Sequence, residues 1–120
     1  MKKNNSPVLV TGAAGFIGAK TIEFLLAEGN TVVGVDNLND YYDTRLKDYR
    51  INSLLGHSEL HKTIALTSDS NGLEKADFST EAFTFYKLDI ENEHSVSALF
   101  KKYSFISVLN LAARAGVRYS

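Results

Sequence analysis

The chain has 120 residues, of which 44% are hydrophobic and 22% are charged, and its formal net charge is −1. These values fit a single globular domain, and they give no electrostatic footprint for nucleic acid or for an anionic membrane. The absence of cysteine excludes disulfides and thiolate metal sites. No apolar run has the length of a signal peptide or a bilayer span, so we expect a cytoplasmic domain without a membrane partner.

Strands and helices alternate along the predicted chain. Consecutive apolar residues indicate strands that are buried on both faces, and apolar residues at helical spacing indicate helices. The predicted elements are a strand at 7–11, a helix at 15–28, a strand at 31–35, a helix at 42–55, a strand at 83–88, a helix at 92–103 and a strand at 106–111. This order predicts an α/β fold with a doubly wound parallel sheet of about four strands and right-handed crossovers.

Each predicted helix has an apolar face that should cover the sheet. This face holds Ile17, Thr21, Phe24 and Leu25 in the first helix, Ile51, Leu54 and Leu55 in the second, and Val96, Leu99, Phe100 and Tyr103 in the third. Gly29 fits a left-handed stop at the end of the first helix, and Gly56 should end the second.

The segment 57–82 fits none of these elements. It is rich in Ser, Thr, Asp, Glu and Lys and lacks sustained periodicity, so we predict a long surface insertion. Its apolar patch at 64–66 could form a short extra element. His57 and His61 could share a helical face with Glu59 between them, but a third ligand is not evident. We therefore predict solvated histidines and no metal site.

A glycine run follows the first predicted strand. In VLVTGAAGFIG, the residues Gly12, Gly15 and Gly18 stand three positions apart, between a strand and a helix. In that context the first glycine permits a tight turn, the second lets the backbone approach a pyrophosphate, and the third lets the helix pack close to the sheet. The helix N-terminus would present unpaired N–H groups to the phosphates. The alternative is that these glycines only punctuate an ordinary turn.

Asp36 follows the second strand, where a carboxylate can accept hydrogen bonds from the ribose hydroxyls of an adenosine. It would repel a 2′-phosphate, and no Arg or Lys stands at 13–19 or at 37–43 to attract one. The sequence therefore predicts a site for NAD rather than NADP. The alternative is that Asp36 is a helix N-cap or a loop residue.

Two further strand ends are candidates for cofactor contacts. Asp89 ends the third strand and would lie beside the adenine, unless it caps the next helix. Leu111, Ala112 and Ala113 end the fourth strand. Small side chains there would let the backbone pass close to a cofactor, unless they only serve tight packing.

The segments TGAAGFIG, DNLNDYYD, KLDI and LNLAARAGVRYS resemble the extended short-chain dehydrogenases/reductases. More narrowly, the chain resembles the nucleotide-sugar epimerases that act on UDP-glucuronate, over nearly its whole length except 57–82. The resemblance implies an NAD-binding Rossmann-type domain, here incomplete, within a longer, homodimeric cytoplasmic enzyme. It also implies a UDP-sugar partner, held by a second domain that this chain lacks, and inversion of C4 through a 4-keto intermediate.

The resemblance also implies site residues by their positions in those segments. The phosphate cradle would comprise Gly12, Ala14, Gly15, Phe16, Ile17 and Gly18. The ribose and adenine contacts would come from Asp36, Asn37, Asn39, Asp40, Asp89 and Ile90. The nicotinamide side would be bordered by the backbone of Leu111, Ala112 and Ala113. Arg118 would lie near the sugar nucleotide, unless it is a surface arginine, and Arg114 replaces the Gln that is common in the family.

A catalytic Tyr-x-x-x-Lys pair is also implied by the resemblance, but no Lys stands four residues after any of the six tyrosines. We therefore expect this chain to be the front part of a larger enzyme, without catalytic residues and inactive alone. The alternatives are a nucleotide-sugar dehydratase, a neutral-sugar 4-epimerase, or a non-catalytic NAD-sensing module. The fourth strand should form an exposed sheet edge.

Overall fold

The computed structural model describes residues 6–38, 44–56 and 64–111, with residues 44 and 45 described by their backbone only. Within these ranges every predicted strand and helix is present, with its ends displaced by a residue or two. The elements in chain order are β1 (Val8–Thr11), α1 (Phe16–Ala27), β2 (Val32–Asp36), α2 (Thr44–Leu54), β3 (Leu66–Ser68), β4 (Glu74–Ala76), β5 (Phe83–Lys87), α3 (Glu93–Lys102) and β6 (Ser107–Asn110).

The strands of the described ranges form a six-stranded sheet in the order β3-β4-β5-β2-β1-β6. β1 pairs in parallel with β2 on one side and with β6 on the other, and β2 pairs in parallel with β5. The chain thus moves outward from β1 to β5 and then crosses back to β6. The direction of winding reverses between β1 and β6, which is where doubly wound sheets bind their ligands, at the carboxyl ends of the strands.

The predicted number of about four strands is wrong, because part of the segment 57–82 joins the sheet. β3 and β4 form an antiparallel hairpin that extends the sheet beyond β5. The apolar patch at 64–66 lies at its start, where Ile64 is buried and Leu66 opens β3. Each hairpin strand has only three residues, too few for a period to show in the sequence. His57 and His61 lie outside the described residues.

Apolar side chains cover both faces of the sheet. The face that packs against α1 and α2 buries, among others, Val8, Val10, Val32, Phe83 and Phe85. The face that packs against α3 buries, among others, Leu9, Val33, Val35 and Tyr86. This two-sided burial is the reason that β1 and β2 show continuous apolar runs in the sequence rather than alternation.

α2 and α3 pack largely as their sequences predict. Ile51 of α2 and Leu55 just beyond its end are buried, and so is Leu99 of α3. Gly29 and Gly56, each with φ 91°, lie in the left-handed region just beyond α1 and α2, as predicted for helix stops. No helix in the described part of the chain is long and apolar enough to cross a membrane.

The face predicted for α1 is wrong for two of its members. Ile17 and Phe24 are 61% and 64% exposed, whereas Gly18 and Ile22 are buried. The rotation of the helix follows from Gly18, since a Cβ there would lie 1.9 Å from the carbonyl oxygen of Gly12. α1 can approach the preceding turn only with its Gly18 side, and that side carries Ile22 toward the sheet.

β6 lies at one edge of the described sheet, as predicted. Ile106, just before it, is 59% exposed, and Val108 within it is 46% exposed. Phe100 of α3 was predicted to join the apolar face but stays 46% exposed, and it lines the same groove as Val108.

Candidate functional site

The turn after β1 is built on two glycines. Gly12 has φ 71°, in the left-handed region, and its carbonyl oxygen accepts a hydrogen bond from the N–H of Gly15 at 3.0 Å. The Cβ of any residue at position 18 would lie 1.9 Å from that same oxygen. Only a glycine at Gly18 therefore lets α1 begin so close to the turn.

Gly15 leaves the N-terminus of α1 open. It is the N-cap residue and gives the helix end no side-chain hydrogen bond, and the first turn carries no acidic residue among those described. A Cβ on Gly15 would meet the protein no closer than 3.4 Å, an ordinary contact with Gly12. The first N–H groups of a helix lack intrahelical acceptors and attract anions. This end of the helix therefore fits the diphosphate of a dinucleotide.

Phe16 and Ile17 stand at the start of α1, beside the open helix end. Each is 61% exposed, although both are large apolar residues. The resemblance places both in the phosphate cradle, and both side chains are exposed beside it. Their contact with a phosphate stays a prediction.

Gly34, in the middle of β2, helps to position the glycine turn, and the sequence prediction missed this role. A Cβ there would lie 2.9 Å from the Cβ of Ala13 and 3.0 Å from a ring carbon of Phe83. Ala13 is fully buried, and its N–H donates to the carbonyl oxygen of Val35 at 3.0 Å. The turn is thus seated directly on β2. A glycine inside an apolar strand is the signal that could have revealed this close approach.

Asp36, the last residue of β2, is joined to the glycine turn. Its Oδ2 accepts a hydrogen bond from the N–H of Ala14 at 3.0 Å, and its Oδ1 accepts one from the N–H of Leu38 at 2.7 Å. The residue is 7% exposed. Leu38 has a left-handed φ of 60°, which costs a residue with a Cβ about 1–2 kcal/mol. The structure therefore brings together Asp36 and Ala14, two residues predicted for the same site.

The neighbours of Asp36 in the predicted site are only partly described. Asn37 is exposed at the end of β2. Asn39 and Asp40 lie outside the described residues, so their proposed ribose contacts stay predictions.

Two cations of α2 reach this corner, and the sequence prediction missed both. Lys47 Nζ lies 3.1 Å from Asp36 Oδ1, and Arg50 donates a hydrogen bond to the carbonyl oxygen of Ala14 at 3.0 Å. The Arg50 guanidinium also lies 6.0 Å from the centre of the Phe16 ring. Both cations lie outside the ranges 13–19 and 37–43, in which no Arg or Lys stands. Residues three apart share one face of a helix, which is the signal that could have identified this pair.

Asp89 is exposed beyond the end of β5. Its Oδ1 accepts a hydrogen bond from the N–H of Glu91 at 2.9 Å, which closes a turn before α3. The N-cap of α3 is Asn92, whose side chain accepts from the N–H of Ser95, so the alternative interpretation of Asp89 as the helix cap is wrong. Ile90 is 37% exposed beside it. Contact of Asp89 and Ile90 with an adenine stays a prediction.

Side chains link the two strands at the switch point. Thr11 Oγ1 donates a hydrogen bond to Asn110 Oδ1, which joins the carboxyl ends of β1 and β6. Leu111 follows at the same edge and is 39% exposed. Ala112, Ala113, Arg114 and Arg118 lie outside the described residues, so their roles stay predictions.

Comparison with known protein families shows which family the chain belongs to. Residues 8–120 match the family described as NAD dependent epimerase/dehydratase. The chain belongs to the NAD-dependent epimerase/dehydratase family. The matched residues include the glycine turn, Asp36 and the switch point, so the site described above lies within the region that this epimerase/dehydratase family shares.

Curated relatives are similar to this epimerase/dehydratase chain along most of its length. A UDP-glucuronate 4-epimerase from Thermodesulfobacterium geofontis (strain OPF15) is 46% identical over 112 residues, which are 93% of this chain and 28% of the relative. UDP-glucuronate 4-epimerase 4 of Arabidopsis thaliana is 39% identical over 117 residues, which are 98% of this chain and 21% of the relative. The chain thus spans less than a third of the length of these relatives.

Solved structures share the fold. A UDP-glucose 4-epimerase from Stenotrophomonas maltophila, with bound NAD and formylated UDP-arabinopyranose, has a TM-score of 0.57 at 26% identity, over 94% of this chain and 26% of that one. A dTDP-glucose 4,6-dehydratase from Bacillus anthracis str. Ames in complex with NAD has a TM-score of 0.61 at 20% identity, over 92% of this chain and 27% of that one. These likenesses confirm the predicted Rossmann-type α/β fold.

Proposed function

We propose that this chain is the NAD-binding part of a nucleotide-sugar epimerase that inverts C4 of UDP-glucuronate. The observation that carries the proposal is the 3.0 Å hydrogen bond from the N–H of Ala14 to Asp36 Oδ2. It fixes an acceptor for ribose hydroxyls beside a helix N-terminus that is open to phosphates. The identity of 46% with a UDP-glucuronate 4-epimerase, over 93% of this chain, supports the choice of sugar nucleotide.

The residues of this chain would bind and orient the dinucleotide. N–H groups in the first turn of α1 would donate to the diphosphate, and Gly15 would leave space for it. Asp36 would accept hydrogen bonds from the adenosine ribose, Asp89 would border the adenine, and Leu111 would lie on the nicotinamide side. When bound, NAD would supply the redox chemistry, as acceptor and then donor of the hydride exchanged with C4 of the sugar.

Proton transfer at the sugar hydroxyl is not assigned to any residue of this chain. The family's Tyr-x-x-x-Lys pair is absent, since no Lys follows any of the six tyrosines at the fourth position. We therefore propose that the chain alone gives no turnover of UDP-glucuronate with NAD. Chromatography of the sugar nucleotides after incubation measures this, and the appearance of the C4 epimer would overturn it.

A substitution at Gly15 tests cofactor binding without disturbing the fold. Gly15 has φ −75° and ψ 167°, which alanine adopts freely, and the added Cβ would meet the protein no closer than 3.4 Å. Gly15→Ala should keep the melting temperature but weaken NAD binding about tenfold or more, because the methyl group lies where the diphosphate would approach the backbone. Calorimetric titration with NAD measures the affinity.

The matched control for this titration is Ser53→Ala, an exposed position on α2. It should leave NAD affinity unchanged. Wild-type chain that binds no NAD, or a Gly15→Ala variant that binds NAD as the wild type does, would contradict the proposed site.

A further inference from the structure

Two backbone N–H groups hold Asp36 in place, in addition to the side chain of Lys47. The N–H groups of Ala14 and Leu38 donate to its two carboxylate oxygens at 3.0 and 2.7 Å. These two bonds fix both oxygens relative to the glycine turn. A change in the side chains around Asp36 should therefore alter its electrostatic environment without moving it.

Lys47 is the charged side chain next to Asp36. Its Nζ lies 3.1 Å from Asp36 Oδ1, and the two side chains are only 16% and 5% exposed. Counterions and water screen such a pair less than an exposed surface pair, so the ammonium offsets much of the field of the carboxylate. A second cation, Arg50, lies three residues further along α2 and is bound to the carbonyl oxygen of Ala14.

The charge at this position bears on the nucleotide that the site accepts. A lone carboxylate there accepts hydrogen bonds from the ribose hydroxyls and repels a 2′-phosphate, whereas a nearby cation attracts it. Here the carboxylate of Asp36 and the ammonium group of Lys47 lie side by side. The preference for NAD over NADP should then be smaller than an unpaired Asp36 would impose.

We propose that Lys47 is a specificity-determining residue, which lowers the preference of this site for NAD over NADP by neutralising Asp36. This rests on the proposed dinucleotide site and extends it to a residue that the sequence motifs do not contain. Lys47 acts on the ratio of the two affinities, and Asp36 keeps its position through its backbone donors when Lys47 is changed.

The test measures the affinities of NAD and NADP for the chain by calorimetry at low salt. Lys47→Met, which keeps most of the apolar stem, should raise the ratio of NAD to NADP affinity about tenfold, because the 2′-phosphate then meets an unpaired carboxylate. Lys47→Arg retains the charge and should keep the wild-type ratio. Lys101→Met removes an exposed lysine from the last turn of α3 and should leave the ratio unchanged.

Ionic strength gives a second readout that a purely structural role of Lys47 would not move. The difference between wild type and Lys47→Met should shrink as salt is added, by less than for an exposed pair, since salt still screens the attraction between the 2′-phosphate and the site. If Lys47→Met has a lower melting temperature than the wild type, Lys47→Gln provides the same loss of charge.

An unchanged ratio in both neutral variants, or an equal loss of both affinities, would overturn the role of Lys47. So would a wild-type chain that binds NAD and excludes NADP altogether. A wild-type chain that binds neither nucleotide would contradict the dinucleotide site itself, so the two failures are distinguishable.

Discussion

The glycine turn and the β3–β4 hairpin are held in different ways. The turn depends on backbone geometry, with Gly12 in the left-handed region and no room for a Cβ at Gly18. The hairpin turn also has a left-handed glycine, Gly72 with φ 82°, and in addition Asp69 Oδ1 accepts hydrogen bonds from the N–H groups of both Asn71 and Leu73. Three regularly spaced glycines mark the first turn in the sequence, whereas the hairpin turn has one glycine and an ordinary acid.

Asp69 also joins the hairpin to α3. Its Oδ2 is buried, accepts no hydrogen bond from the described residues, and lies 3.6 Å from Lys102 Nζ. Burial alone would raise the pKa of Asp69, but the N–H groups of Leu73 and Asn71 and the charge of Lys102 together lower it. The hairpin is therefore anchored by a carboxylate whose pKa is lowered in the folded chain, so its stability should depend on pH.

Gly18→Ala should have the largest effect on stability. Its Cβ would lie 1.9 Å from a backbone oxygen, so α1 must shift away from the turn. We expect the free energy of unfolding in urea to fall by about 3 kcal/mol or more, at the upper end of overpacking effects. Gly15→Ala, in the same turn, is the control and should unfold as the wild type does. Equal stability of the two variants would show that the turn does not restrict position 18.

Asp69→Ala should have the next largest effect. It removes two hydrogen bonds to a charged acceptor and leaves the hairpin turn without its anchor, at a cost of about 2 kcal/mol. Amide hydrogen exchange should accelerate at Leu73 and stay unchanged at Gly15. Asp77→Ala, at an exposed position of the same segment, is the control. Uniform acceleration across the sheet would contradict a local anchor.

Acid should remove the contribution of Asp69. Because the pKa of Asp69 is lower in the folded chain than its ordinary value of 3.8, the stabilisation is complete above that value and is lost as the pH falls through the folded-state value. The difference in unfolding free energy between wild type and Asp69→Asn should therefore shrink below about pH 4. A difference that stays constant from neutral to acid pH would exclude this titration.

Tyr103→Phe should have the smallest effect. The hydroxyl of Tyr103 lies 2.9 Å from that of Tyr86, which is fully buried on the sheet face that also buries Leu73 of the hairpin turn. Removal of the Tyr103 hydroxyl leaves that of Tyr86 without this partner, at a cost of about 1 kcal/mol in thermal unfolding. Tyr49→Phe, at a 39% exposed position, is the control. Identical melting of the two variants would show that the hydroxyl pair contributes nothing.

The predictable parts of the fold were those with a local cause. Val8 to Val10 are buried on both faces of the sheet, so β1 showed as a continuous apolar run. The hairpin strands were missed because they are short and are recruited by pairing with β5. The face of α1 was misjudged because Gly18, which sets its rotation, carries no hydrophobic signal.

The parts of the candidate site that could be predicted from the sequence also had a local cause. The glycine turn and Asp36 are adjacent to strand ends, and the order of strands brings such ends together. Lys47 and Arg50 were not found because they reach the site from α2, through a helix face whose orientation only the packed structure gives. Contacts that depend on how a helix packs produce no regular spacing of residues in the sequence.

The most direct test of the central claim follows the backbone amides of the labelled chain by nuclear magnetic resonance as NAD is added. We expect the largest shifts at the amides of Gly15, Phe16 and Ile17, with little change at Asn71 and Leu73 in the hairpin. This result would place the diphosphate at the N-terminus of α1. Saturating NAD without shifts in the glycine turn, or with shifts confined to the hairpin, would contradict the account.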